Sequence, residues 1–411
     1  MAKENINTIK DFLEWRGSNG EKPEEYDFKR NMYEYYQSYN HNVRRKLGDK
    51  AYEEFMNGMP YGTEESSIKE WLAYKTADAK WPGKRFDCDN SNATCTLTRL
   101  VYVLLWNWGT TDEDKVSQPL MTFGNKKFGG DTMNSFATTF NEYMQAKAHG
   151  VMSTEKMAKM FSMTGEKFWQ EEIGKEFWER WNKFARNTQC IGNFVLVPYY
   201  FNKDRYGKTK DYWDLSLDLL KNNDGKFDKK NKDWETDKKS LEETSTENMP
   251  IDWNKGDYNR YINLFFLWDY VKCEDLDENG SPKPRWLFDR KRNILPQEQI
   301  DFQNFLDNVN KRIERRGRFM VAMLRIASGI NYDGKSRYEY CGNYEDKWEG
   351  WKVSGIYKIF VDKVFWQNEV YDGYKGVIRQ MEVVIDNTEN LKGTSEAQWL
   401  HGILGELSVL T

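Results

Sequence analysis

The chain has 411 residues, 31% of them charged and 16% aromatic, with 17 Trp, 24 Tyr and 23 Phe. Its 61 Lys and Arg against 65 Asp and Glu leave a net charge of -4, which excludes both a dominating basic field and strong acidic mimicry of nucleic acid. The 39% hydrophobic share omits glycine, and with glycine counted it reaches about 46%, enough for a globular core whose burial is carried by rings more than by aliphatic side chains.

Helical periodicity recurs along the chain, whereas strand-like alternation is rare. Residues 26–47 carry Phe28, Met32, Tyr35, Tyr36, Tyr39 and Val43 at steps of three and four, closed by Arg44, Arg45 and Lys46 where cations favour a helix end. Asp131 is placed to cap a helix through Met133, Phe136, Phe140 and Met144 to Gly150. Residues 166–186 read as a helix with Phe168, Trp169, Ile173, Phe177, Trp178 and Trp181 on one side and Gly174 in its middle. Further helices are predicted over 211–220, 258–272, 296–327, 374–385 and 395–407. Together these predict a mainly α fold, a multi-helix globular bundle with a few short extended segments.

The helix over 296–327 has an apolar stripe of Phe302, Leu306, Val309, Ile313, Met320, Met323 and Ala327, broken at Arg316 beside Gly317. An arginine on such a stripe is either a snorkelling end of the seam or a buried cation with a carboxylate or phosphate partner. Between 221 and 256 the composition turns to Lys, Asp, Asn and Glu with few aliphatics, too polar to order itself. This divides the chain into an N-terminal helical region over 1–220, a polar linker or mobile insertion over 221–256, and a C-terminal helical region over 257–411 packed on the first.

Chemistry-bearing motifs are scarce. The three histidines, His41, His149 and His401, are too few and too scattered for a metal site of several imidazoles, and nucleophile-elbow, zincin and P-loop motifs are missing. The five cysteines are odd in number and contain no C-x-x-C pair, which argues against a disulfide framework and a zinc ribbon. Asp275-Leu-Asp277-Glu-Asn279-Gly280 imitates half of an EF-hand loop, but its twelfth position is Trp286, so it reads as a turn between helices. Gly124-Asn-Lys-Lys-Phe-Gly129-Gly130 could present backbone N–H groups to a phosphate ahead of the Asp131 cap. Lys311, Arg312, Arg315, Arg316 and Arg318 form a basic run in which helical spacing sets Lys311, Arg315 and Arg318 on one face, able to track phosphates or to stand as a solvated face. The longest apolar run, 100–106, is far too short for a membrane span, and the first residues have no apolar signal core, so a cytoplasmic setting without a membrane partner is expected.

Ile191-Gly192-Asn193-Phe194-Val-Leu-Val-Pro198, Phe201-Asn202-Lys-Asp-Arg205 and Asp211-Tyr212-Trp213-Asp214 resemble a segment of uncharacterised bacterial proteins, I-G-N-F-x-x-x-P followed by F-N-x-x-R and D-Y-W-D. The resemblance extends through Gly280–Arg285 and Asn310–Gly317, about half the chain, and implies no activity. Ile191-Gly-Asn with its apolar run and a further Asn is also distantly similar to the segment trailing the HNH centre of GmrSD-type nucleases. That family binds its metal through an upstream histidine pair. Here the stretch before Ile191 has no histidine closer than His149.

These readings converge on a non-enzymatic binding protein of bacterial or phage origin in phage–host conflict, with another protein as partner and no cofactor or metal. The alternatives are a nucleic-acid-binding protein or degenerate nuclease, and a nucleotide or small-molecule binder with an aromatic pocket. Candidate binding residues are Arg312, Arg315, Arg316, Arg318, Asn193, Asn202 and Arg205. The nuclease reading needs these arginines to converge with Asp204, Asp211 or Asp214 in one cleft.

Overall fold

A computed structural model describes residue 6, residues 8–31, 68, 88, 96–106, 128–144, 146, 166–198, 201, 211–221, 256–290, 294–329 and 354–410. The fold is mainly α. In chain order the described residues form α1 (Ile9–Glu14), α2 (Thr96–Trp106), β1 (Phe128–Thr132), α3 (Phe136–Met144), α4 (Glu166–Ile173), α5 (Lys175–Asn187) and β2 (Phe194–Pro198). They continue through α6 (Trp213–Lys221), α7 (Asp257–Leu264), β3 (Val271–Leu276), β4 (Pro282–Pro284), α8 (Gln299–Ser328), α9 (Gly355–Phe360, running on as a π-helical turn Val361–Phe365), α10 (Gly373–Asn387) and α11 (Ser395–Glu406). The extended segments make two antiparallel pairs, β1 with β2 and β3 with β4.

Helix α8 organises the molecule. Over 30 residues it spans about 45 Å at 1.5 Å per residue. Asp301 accepts the N–H groups of Gln297 and Glu298 at its start, and Gly329, in the left-handed region, closes it by donating to Arg325 O. Its first half, Phe302 to Ile313, lies in one hydrophobic core with α3, α5, Tyr212, Leu215 and Phe288. From Phe319 to Ala327 it lies in a second core with α1, α2, β2, α7, α9, α10 and α11. Each core takes residues from both sides of the 221–256 segment, of which only the ends, Lys221 and Gly256, are among the described residues, and Lys221 pairs with Asp277 beyond it at 2.9 Å.

Gly192 explains how closely the chain can cross α8. A Cβ there would stand 1.9 Å from Ile313 O and 2.7 Å from Gly317 N, so only glycine lets the Ile191–Asn193 3-10 turn rest on the helix backbone.

Several predicted boundaries change. Of the helix expected over 26–47, the described part is extended at Tyr26 and a 3-10 turn over Phe28–Asn31, and the rest lies outside the described residues. Asp131 caps no helix: with Gly129 and Gly130 it belongs to β1, whose short F-G-G-D-T run has no alternation to announce it, and Ser135 opens α3 instead, accepting from Thr138 and Thr139. That also removes Gly129 and Gly130 from a phosphate-binding cap. The helix expected over 166–186 is broken at Gly174 (φ +87°), where α5 starts afresh. The helix expected over 258–272 ends at Leu264, because Phe266 adopts φ +57° and turns the chain toward β3. In the Asp275–Gly280 stretch, Asp275 and Leu276 end β3 and the turn begins at Asp277, so it joins two strands and not two helices, with Asp277 Oδ1 accepting from Asn279 and Ser281.

These two glycines separate steric from torsional cost. Gly192→Ala should lower unfolding stability by about 2–3 kcal/mol or prevent folding, whereas Gly174→Ala, with nothing within 4 Å of the new methyl, should cost about 1 kcal/mol for its backbone angle alone. Urea unfolding followed by tryptophan fluorescence measures both.

Candidate functional site around Arg316

Arg316 sits where α8 passes from one core to the other, and its side chain is fully buried. Nε donates to Phe265 O at 3.0 Å, and Nη1 donates to Gly192 O at 2.8 Å and Phe194 O at 2.7 Å. Both ends of this arrangement follow from local backbone: the tight Ile191–Asn193 turn exposes the Gly192 and Phe194 carbonyls, and the left-handed Phe266 accompanies the turn that offers Phe265 O. A guanidinium has five N–H groups, so the two on Nη2 remain, and they have no partner. Of the two roles weighed for a stripe arginine, the structure makes Arg316 a buried cation, but backbone carbonyls replace the expected carboxylate or phosphate. Burial pulls its pKa below the ordinary value.

Four tyrosines, Tyr102, Tyr261, Tyr270 and Tyr374, supply its electrostatic surroundings. Tyr261 donates to Leu196 O at 2.8 Å. The hydroxyls of Tyr270 and Tyr374 are buried without partners. Beside them Asp269 uses Oδ1 on Arg315 Nη1, at 3.2 Å, and leaves Oδ2 buried and unpaired. Burial pushes the Asp269 carboxyl up, against the opposing pull of Arg315, Arg312, Arg285 and Lys311.

The remaining arginines of the basic run are arranged differently from a phosphate-tracking face. Arg312 is buried, donates to Arg285 O at 2.8 Å and Trp286 O at 3.0 Å, and lies 5.3 Å over the Tyr270 ring. Arg315 holds Asp269 and Leu410 O and lies over the Tyr374 ring. Arg318 is half-exposed and pairs with Glu24 at 3.5 Å. Of the run, Lys311 and Arg318 are exposed, Arg315 is partly exposed, and Arg312 and Arg316 are buried.

Asn193 is fully buried: its Oδ1 accepts from Asn134 N, and its Nδ2 donates to Asn134 O and Thr188 O, fastening the end of β1 to the turn. Asp214 is also buried, bound through both oxygens to Arg290 at 2.7 and 2.8 Å and to Leu287 N. Asp211, in the left-handed region, accepts from Thr138 and opens α6. The nuclease reading needs these acids in one open cleft with the α8 arginines; Asp214 does lie near Arg312, but both are buried and Asp214 is bound to Arg290. Asn202, Asp204 and Arg205 lie outside the described residues, as do His41 and His149, while His401 meets Asp386 at 3.1 Å near the surface. Among the described residues no group of three His, Cys, Asp or Glu could hold a metal ion, and no helix is long and apolar enough to cross a membrane.

Sequence reasoning singled out Arg316 because it broke a stripe. It missed Asp269, Tyr270 and Tyr374, which arrive from two other segments and read there as ordinary positions of the helices predicted over 258–272 and 374–385. Comparison of the chain with protein-family models, curated proteins and solved structures finds no match.

Replacing Arg316 with Met leaves three interior carbonyls short of a donor and should cost about 3 kcal/mol or more. Asp214→Asn, which strands the buried Arg290 charge, should cost about 3–5 kcal/mol. By contrast, Arg318→Met at the surface should stay within about 0.5 kcal/mol. Denaturant titrations of the three variants at one pH decide between these values.

Proposed function

We propose that the chain is a non-enzymatic binding protein of bacterial or phage origin, acting in the cytoplasm in phage–host conflict as a defence or counter-defence component. The observation that carries the binding reading is the use of charge around α8. Arg312 and Arg316 hold backbone carbonyls in the interior, Arg315 holds Asp269 and Leu410 O, and Asp214 holds Arg290. Groups that could have served bond-breaking therefore serve to fix the scaffold, and the atoms around Arg316 that are left unpaired, like others elsewhere in the interior, lie among packed side chains. The setting is supported by the resemblance of the Ile191–Asp214 segment to bacterial proteins. A protein partner would meet a surface whose exposed large apolar side chains, Leu276, Ile300, Val383 and Val409, stand on four different elements.

The small-ligand form of this reading is favoured by the unpaired hydroxyls of Tyr270 and Tyr374 beside Arg316, because binding sites combine aromatic walls with a few convergent polar groups. Nucleic acid is disfavoured as the partner, since two of the four arginines in the 311–318 run are buried and each contact to a nucleic-acid phosphate needs a solvent-facing cation.

A salt titration with duplex DNA and RNA, run with and without magnesium, tests the reading. The expected result is weak binding whose logarithmic salt slope stays shallower than about -4, with no cleavage. A steeper slope, or magnesium-dependent cleavage lost on Asp211→Asn, would replace it with the nuclease reading.

A further inference from the structure

The turn Leu407–Leu410 continues α11 as a 3-10 helix and has two faces: Leu407 and Leu410 enter the second core, while Ser408 and Val409 face solvent, Val409 at 70% exposure. It packs on α8 and on α10. Two arginines of α8 hold this stretch. Arg325 Nη1 donates to Glu406 Oε2 at 2.9 Å, and Arg315 Nη2 donates to Leu410 O. The two arginines stand about 15 Å apart along the helix at 1.5 Å per residue, so the chain from Glu406 to Leu410 runs back along α8 toward Arg316.

These ties differ in kind. The Arg325 and Glu406 side chains are 25% and 67% exposed, and an ion pair so open to water and salt contributes little. Arg315 is braced from two further elements: its Nη1 donates to Asp269 Oδ1 at 3.2 Å, in the 3-10 turn Trp268–Tyr270, and its guanidinium lies 5.5 Å from the centroid of the Tyr374 ring on α10. The Asp269 side chain is 14% exposed and Tyr374 is buried, so the groups that brace Arg315 belong to the core and not to the turn. A guanidinium fixed in this way offers Leu410 O a charge-assisted hydrogen bond with little further loss of side-chain freedom.

We propose that the Leu407–Leu410 turn is a strap over the seam between α8 and α10 that opens as a unit, and that Arg315, positioned by Asp269, is its latch. Opening breaks the bond to Leu410 O, turns Leu407 and Leu410 out of the core, and uncovers the seam together with the outer side of the Arg315–Asp269 pair. Local openings are drawn from segments with few buried apolar anchors. The turn has two, Leu407 and Leu410, where α10 has six, so the bond from Arg315 is a large share of what keeps it closed. The inference goes beyond the binding-protein reading and does not depend on it.

Hydrogen exchange of the full chain, followed by mass spectrometry at one pH, tests the latch. Arg315→Met should speed exchange in peptides covering 407–410 by about tenfold or more, the loss of one charge-assisted hydrogen bond, and leave α10 and the Phe319–Ala327 stretch of α8 unchanged. Asp269→Asn, which keeps an acceptor for Arg315 but removes the charge, should give a smaller acceleration confined to the same peptides. Arg325→Met should change them by less than about fivefold, as expected for an exposed pair. If Arg315→Met does not fold, the comparison of Asp269→Asn with Arg325→Met carries the test alone. Acceleration that reaches α10 equally, exchange in the turn that is unchanged on replacing Arg315 or Asp269, or an effect of Arg325→Met as large as theirs overturns the strap.

Discussion

A helix that is buried against two different cores along its length has to change the face it presents, and α8 does so at Arg316 and Gly317. The Gly317 backbone admits the Ile191–Asn193 turn and the Pro23–Glu25 turn against the helix, the latter with Glu24 Cβ only 3.2 Å from where a Cβ would stand. Two chain segments that pack so closely bring their carbonyls indoors, and an interior acceptor without a donor costs about 1–3 kcal/mol. Arg316 is the long, multiply donating side chain that reaches three such oxygens from one anchor. Leucine at this position would extend the stripe and leave the carbonyls of Phe265, Gly192 and Phe194 without that donor.

The same need recurs at helix ends throughout the second core, and aromatic side chains meet it there. The last carbonyls of a helix have no partner within it. Leu105 O, near the end of α2, accepts from the Tyr357 hydroxyl at 2.8 Å, and Leu264 O, at the end of α7, accepts from Trp106 Nε1 at 2.9 Å. Trp268 Nε1 binds Asn263 Oδ1, whose amide in turn holds the carbonyls of Gln367 and Glu369. Each such ring fills space with its face and caps backbone with its tip, which gives the high aromatic content a purpose that aliphatic side chains could not serve. Edge-to-face contacts among Phe266, Phe319 and Phe365, with Tyr374 tilted against Phe319, fill the space around these caps.

What was legible in the residues tracks this division between local and distant causes. Helices α8, α10 and α11 follow from spacing of three and four, because in each an apolar residue enters a core at nearly every turn. Strand β1 was invisible, since Phe-Gly-Gly-Asp-Thr has no alternation and becomes a strand only by pairing with Phe194–Pro198, more than sixty positions away. The premature end of α7 was equally hidden: Tyr258, Tyr261, Ile262 and Phe265 continue the helical period, and only the demand of Arg316 for Phe265 O accompanies the turn at Phe266. Arg316 could be picked out by eye, but its role could not, because its partners come from residues 192, 194 and 265. Asn193, a candidate for binding in the sequence, instead commits its buried amide to Asn134 and Thr188.

The unpaired groups around Arg316 invite an argument from substitution. Phenylalanine at 270 and 374 would fill nearly the same volume and keep the ring contacts with Trp268 and Phe319 and the positions under Arg312 and Arg315. It would also avoid burying a hydroxyl without a partner, a cost that a scaffold requiring only ring area has no reason to bear. The same holds for Asp269, which would satisfy Arg315 through Oδ1 alone yet keeps a second oxygen inward. The buried atoms left unpaired here are matched by others elsewhere, such as the Tyr258 hydroxyl and the Trp181 indole N–H, so the polarity of the node recurs through the aromatic interior.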